Sequence, residues 1–273
     1  MIINSVTEIY FSPTGTTKKV IRAIAEGMGV INKEVIDITL PQLREKKAPH
    51  INGDIVLIGV PVYEERVPKM LIEFLKSLNG HKKPVVIVGV YGNVGCGIVL
   101  DELNKITSDD GFKVVAAASF IGEHSFSSDK AELAKNRPDK NDLCKAEEFG
   151  KNIMNKMQNI NDLNDISLKI PEGRLPIIAK VVPEKITRVV SKTPAADKGL
   201  CNHCNVCADW CPVGAIDRKT LEINEDKCIR CFSCVKKCSK KARKIIYKPD
   251  FIVSKVLKMK NRAAKEPELF FDV

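Results

Sequence analysis

Eight of the ten cysteines fall between Cys201 and Cys238, and their spacing is the first sign of chemistry. The run C-x2-C-x2-C-x3-C occurs at Cys201, Cys204, Cys207 and Cys211. It returns 27 residues later at Cys228, Cys231, Cys234 and Cys238. The N-terminus lacks the basic start and cleavage site of an export signal, so clustered thiols favour metal ligation over disulfides. A second pattern lies near the N-terminus. In "YFSPTGTTKKVIRAI" (10–24) an apolar run passes into a helical one through Ser12, Pro13, Thr14, Gly15, Thr16 and Thr17. Capping a helix needs one such hydroxyl. A crowd of them, with a glycine, suits a phosphate held by backbone N–H groups, hydroxyl donors and the positive helix end.

These residues need a scaffold. Val- and Ile-rich strands are expected at 6–11, 33–38, 54–60, 84–90 and 112–119, with helices near 16–28, 67–78, 97–107 and 139–158. Val20, Ile24 and Met28 stripe the first helix at i, i+4, i+8. Strand–helix alternation with short loops implies a doubly wound α/β sheet. The G-x-G-x-x-G of a dinucleotide fold is missing after the first strand, and "GNVGCG" (92–97) has other spacing and follows the fourth. The remaining choice is a five-stranded parallel sheet of order 2-1-3-4-5, which binds its ligand where strands 1 and 3 diverge. Other loops share that edge. Pro61, Val62 and Tyr63 follow strand 3, Tyr91, Gly92 and Asn93 follow strand 4, and His124 follows strand 5. Tyr63 and Tyr91 offer flat faces for stacking, although a strand-end Tyr is as readily a rim residue. Gly92 and Asn93 could add backbone contacts. Tyr63, Tyr91 and His124 are the candidate catalytic proton donors, His124 against the ordinary alternative of a solvated loop residue. Cys96 and Cys144 are expected to be buried, inert thiols.

Charge divides the 273 residues unevenly. Residues 1–165 hold 21 Lys and Arg against 22 Asp and Glu, whereas 166–273 hold 23 against 12. The expected divisions are a sheet domain at 1–165, a linker at 166–195, the cysteine domain at 196–249 and a basic tail at 250–273. The linker region has four prolines between 171 and 199, a helix expected at 183–191, and apolar pairs Ile177-Ile178 and Val181-Val182 that should pack. The tail starts as a basic helical pattern and ends in exposed-looking Phe270 and Phe271, with docking on the chain's own sheet domain as the favoured reading. No apolar run is long enough to span a bilayer, so the expectation is a soluble, cytoplasmic protein without membrane insertion. No nucleic-acid motif accompanies the basic residues, so a nucleic-acid-binding role ranks low.

The whole chain resembles the flavodoxin/ferredoxin fusion proteins of anaerobic bacteria and archaea. The resemblance rests on "SPTGTT" (12–17), "PVYEERVP" (61–68), "YGNVGCG" (91–97), "FIGEHSFS" (120–127), "NRPDKNDL" (136–143) and the paired cysteine runs. It implies a flavodoxin-like domain binding flavin mononucleotide (FMN), followed by a small α+β bacterial-type ferredoxin domain with two 4Fe–4S clusters. In bacterial two-cluster ferredoxins the fourth cysteine of each run serves the other cluster. By that resemblance Cys201, Cys204, Cys207 and Cys238 hold one cluster, and Cys228, Cys231, Cys234 and Cys211 the other. Zinc is the competing metal, but zinc sites usually pair two cysteines with a second distant pair. Trp210, Ile216 and Ile229 would shield the clusters. Cys238-Ser239 departs from the usual Cys-Pro and bears on the local backbone and that cluster's potential. FMN would use Ser12, Thr14, Gly15, Thr16 and Thr17 for its phosphate and Pro61, Val62, Tyr63, Tyr91, Gly92 and Asn93 around its ring. The implied function is electron transfer between a low-potential donor such as ferredoxin, the clusters and FMN. Delivery would be to a small-molecule substrate or one acceptor enzyme; general electron carriage is the alternative.

Overall fold

A computed structural model describes residues 1–45, 48–175 and 186–271. The expected pairs Ile177-Ile178 and Val181-Val182 lie outside these residues, as does the start of the helix expected at 183–191. The first strand, β1 (Ser5–Tyr10), leads into helix α1 (Thr16–Gly27) and then β2 (Asn32–Asp37). The short α2 (Pro41–Arg44) precedes β3 (Ile55–Pro61), α3 (Lys69–Leu75), β4 (Pro84–Tyr91), α4 (Val99–Asp109), β5 (Lys113–Ile121) and α5 (Lys140–Asn159). β1 to β5 run parallel in the order 2-1-3-4-5. β3 and β4 are buried along their whole length, because helices cover both faces and every Val and Ile meets a core.

One core lies between the sheet and α1 with α5, around Val20, Ile24, Phe120, Phe149 and Met157. The other lies under α3 and α4, around Leu71, Phe74, Leu103 and Ile106. α1 and α5 meet backbone to backbone. A Cβ on Gly27 would come within 1.9 Å of the Glu147 carbonyl oxygen, and one on Gly150 within 2.1 Å of that of Ile24. Any side chain there would pry the two helices apart. α3 is shorter than expected at both ends: Pro68 is its N-cap, and past Leu75 the chain tightens into i to i+3 bonding, Ser77 N–H to Phe74 O at 3.0 Å. Asp139 and Asp142 cap α5 reciprocally, and Arg137 pairs with Asp142.

The sheet has six strands where five were expected. The sixth, β6 (Glu268–Phe270), comes from the tail and pairs antiparallel with Ala117–Ser119 of β5. Phe270 packs on one core, and Phe271 lies 5.6 Å from the ring of Phe149 on the other. Three residues are too few to show a strand period, so the pattern gave no warning of it. The remaining α-helices among the described residues are α6 (Ile186–Val190), α7 (Val206–Asp209), α8 (Ser233–Lys236) and α9 (Asp250–Lys260). The described part of the linker lies against α4, where the Gly173 N–H donates to Asp101 Oδ2 at 2.7 Å. Among the described residues no helix is long and apolar enough to cross a membrane.

Candidate functional site

The cysteine region is a duplication visible in its backbone. His203 and Arg230, Asn205 and Phe232, and Gly214 and Lys241 each stand 27 residues apart, and all six have positive φ, between 50° and 60°. Cys201 N–H donates to Asp197 O at 2.9 Å, and Cys228 N–H to Asn224 O at 3.0 Å. Ala215 N–H donates to Cys211 Sγ at 3.2 Å, and Ala242 N–H to Cys238 Sγ at 3.3 Å. A non-glycine residue at positive φ costs free energy and persists where the surroundings enforce it. Here each such turn wraps the chain around thiols.

Two small cavities lie inside these wraps. Cys211, Cys228, Cys231 and Cys234 line one; Cys201, Cys204, Cys207 and Cys238 line the other. This is the interleaved division that the resemblance implies. Among the described residues no group of three His, Cys, Asp or Glu converges as a single metal ion would require. The thiols surround a volume instead, which fits a polynuclear cluster. Burial pushes the Cys231 thiol well above its ordinary pKa and Cys234 up to about 12. Bound iron would reverse that preference, since a coordinated thiol is held as thiolate. Ile216 and Ile229 line the Cys211 cavity. Trp210 lines neither, being 43% exposed with the Lys237 ammonium 4.2 Å over its ring, so its expected shielding role is corrected.

At the other candidate site, Gly15 stands at the start of α1 with φ 92°, and open space lies where its Cβ would be. Among the described residues no side chain of the cap residue closes this helix end, and the N–H groups of Thr16 and Thr17 have no acceptor. Ser12 Oγ accepts from the Lys18 N–H at 3.0 Å, and the Ser12 N–H donates to Thr39 Oγ1 at 2.9 Å. Ser12 is thereby fixed, while Thr14 and Thr16 stay partly exposed. The turn has the donors, the space and the positive helix end that a phosphomonoester needs.

The family of 4Fe-4S dicluster domains matches residues 193–239. Together with the 2-1-3-4-5 parallel core, that match decides the organisation. The chain joins a doubly wound parallel sheet to a 4Fe-4S dicluster domain. An uncharacterized polyferredoxin-like protein of Methanocaldococcus jannaschii is 38% identical over 85 residues, 31% of this chain and 35% of the relative, so the match spans about a third of that protein. Among solved structures, a flavodoxin from the domain Archaea aligns at 19% identity over 57% of this chain and 99% of its own, with a TM-score of 0.40. The flavodoxin of Megasphaera elsdenii aligns at 22% identity over 55% and 98%, with a TM-score of 0.38. The assignment of the sheet rests on its strand order rather than on these partial likenesses. The dicluster match makes residues 193–239 an iron–sulfur domain of the electron-transfer type.

The cysteine region and the sheet meet at the sheet edge that carries the hydroxyl turn. Ser233, between Cys231 and Cys234, donates its hydroxyl to the Pro13 carbonyl at 2.7 Å. Arg44 reaches from α2 to the Pro212 carbonyl, and its guanidinium lies 5.3 Å from the Phe11 ring centroid. Ile229 packs on the core under α3 and α4. Phe232 meets Phe126 edge-on at 4.8 Å, in a cluster that also holds Leu133, Tyr247 and Val253. The Cys211 cavity is therefore proximal to the turn. The Cys201 cavity is distal, and Cys204 on it is exposed.

The other expected residues are placed as follows. Pro61 ends β3, and the Val62 N–H donates to Val90 O at 2.9 Å. Tyr63 pairs with Arg66 across a tight turn whose central residues, Glu64 and Glu65, have φ of 53° and 65°. Burial, with Cys231 adding repulsion, raises the Tyr63 pKa well above the ordinary value. Tyr91 is buried, with the Lys265 ammonium 5.6 Å over its ring. The His124 ring rests on Gly92, where a Cβ would come within 2.3 Å, and its Nδ1 accepts from the Phe126 N–H at 3.0 Å. Burial, with Lys236 adding repulsion, lowers its pKa to about 4. The Asn93 side chain is engaged by the tail: it donates to Asn261 Oδ1 and Ala263 O and accepts from the Lys265 N–H at 2.9 Å. Cys96 is partly buried, and its pKa is pushed up to about 12; Cys144 is exposed, against expectation, on the solvent side of α5. Ser233, Arg44, Arg230 and the tail contacts escape sequence reading because each depends on a long-range contact.

Proposed function

We propose that this chain is a dedicated electron relay that binds FMN at the hydroxyl turn and two 4Fe–4S clusters in the two thiol cavities. The observation that carries it is the Ser233–Pro13 hydrogen bond, which seats a cluster-binding run on the candidate phosphate turn. Ser12, Thr14, Gly15, Thr16 and Thr17 would hold the phosphate. Pro61, Val62, Tyr63, Tyr91, Gly92 and Asn93 would border the ring. The clusters, when bound, exchange single electrons, whereas FMN takes one or two, so the pair converts between one- and two-electron chemistry. A low-potential redox protein such as a ferredoxin would deliver at the exposed distal side, around Cys204. Electrons would leave from the flavin side to one acceptor enzyme or a small-molecule substrate. Tyr63 and Tyr91 keep their protons there, and His124 at neutral pH is uncharged with Nδ1 as acceptor, which leaves Nε2 to donate.

The test is the anaerobically reconstituted full chain. It should hold one FMN and about eight irons, from two four-iron clusters. Reduced ferredoxin should reduce the flavin, and an Ile229→Asp variant with unchanged cofactor content should do so at least tenfold more slowly. A folded chain without flavin would sink the proposal. Flavin that passes electrons equally well to unrelated acceptor proteins would establish general carriage instead.

A further inference from the structure

Arg230 is 5% exposed, and two of its three guanidinium nitrogens, Nε and Nη1, are buried without a hydrogen-bond partner. Among the described residues no carboxylate pairs with it. It stands between Cys228 and Cys231, at φ 56°, and lines the proximal cavity together with Cys211, Cys228, Cys231 and Cys234. The rest of that lining is almost wholly apolar, with Pro194, Val213, Ile216, Ile229 and Phe232. An isolated buried cation is costly, so its retention calls for a negative group within the same apolar space. The duplication sharpens the point. The counterpart of Arg230 in the first run is His203, which is exposed.

We propose that Arg230 is the residue that holds the reduction potential of the proximal cluster above that of the distal one. This rests on the cluster assignment given above. Reduction by an external one-electron reductant adds one electron, and one negative charge, to a cavity already ringed by four thiolates. A desolvated cation beside it stabilises the reduced state more than the oxidised one, and so raises the potential. The distal cavity is lined by Arg243, which is also buried, but both its Nη atoms donate to carbonyls, of Pro194 and Leu221, so its donors are met without an anion, whereas two nitrogens of Arg230 are not. Lys240 on the distal side is exposed and screened by water. Arg230 breaks the near symmetry of the duplication, and it favours electron residence on the side nearer the hydroxyl turn.

The test is a mediated potential titration of the anaerobic full chain, followed by electron paramagnetic resonance, with the proximal signal assigned through Cys211→Ala. In Arg230→Gln the ratio of reduced proximal to reduced distal cluster at fixed potential should fall about tenfold, equivalent to about 59 mV for one electron. Iron content should not change, and Arg230→Lys should restore most of the ratio. No change, an equal change in both clusters, or the same change in Gln and Lys variants would overturn the proposal. Should Arg230→Gln fail to load iron, the parent protein still decides. Its potential gap should persist from roughly 0.05 to 1 M salt, because a buried charge is little screened. A gap that closes with salt belongs to surface lysines and refutes the role of Arg230. A parent chain without two clusters fails at the earlier step, in its iron count, and that failure is distinguishable from this one.

Discussion

At Gly15 the positive φ and the open space beside the helix start coincide, and a side chain would obstruct both. Gly15→Val should therefore lower flavin affinity at least tenfold while iron content stays unchanged, as read by flavin retention on gel filtration. Ser127→Ala in the same assay should have little effect. His124 makes a second, independent prediction. Its pKa falls from an ordinary 6.5 to about 4 on folding, so the unfolded chain binds the proton at higher pH. The stabilisation of the neutral ring is then present above pH 6.5 and is lost as pH falls through 4. By pH 5 the loss should reach about 2 kcal/mol, from the linkage of pKa to stability. Denaturation midpoints of the full chain between pH 7.5 and 5 should show that slope, and His124→Gln should flatten it.

Interleaving is a property of the elements rather than of single cysteines. α7 and α8 follow the same turn in the two runs, and each run sends its last thiol into the opposite cavity. Cys211→Ala should thus abolish the spectroscopic signal that depends on Cys228, Cys231 and Cys234, and spare the one that depends on Cys201. Damage confined to the Cys201 cluster would refute the arrangement. The cysteine runs were legible in the sequence because their ligands lie a few residues apart, and the hydroxyl turn because a parallel strand and its helix are adjacent. β1 to β5 were legible from continuous Val and Ile, with edges in error by one or two residues. β6 was not, since "ELF" (268–270) has no period of its own and is a strand only because β5 offers an unpaired edge. Arg230 was equally unreadable. In sequence it is a basic residue in a basic segment, and its meaning arises when Phe232 and Ile229 on either side are drawn into contacts that bury it.

For the molecule as a whole, the excess of positive charge lies in residues 166–273, which carry both thiol cavities. Distal access is through Cys204, with Lys240 nearby on the cavity rim. A redox partner with an acidic surface should be steered there, and the rate at which reduced ferredoxin delivers electrons should fall several-fold as salt rises past the point where exposed charges are screened over about 10 Å. Stopped-flow flavin reduction at stepped salt measures this. A salt-independent rate would place the donor elsewhere.

The pairing of β6 with β5 changes what kind of fusion this is. A domain hung on the end of another is leashed at one point and can swing. Here the chain leaves the sheet after α5, builds the cluster region, and comes back to take the last place in the same sheet. Topologically the cysteine region is a loop of the sheet domain, clasped at two ends. A protease site engineered between Gly173 and Ile186 would open one end only, and the cut chain would remain a single particle held by the second clasp. The same closure means that a chain stopped at Asp165 loses a strand along with its clusters, and leaves the β5 edge bare for another copy to occupy.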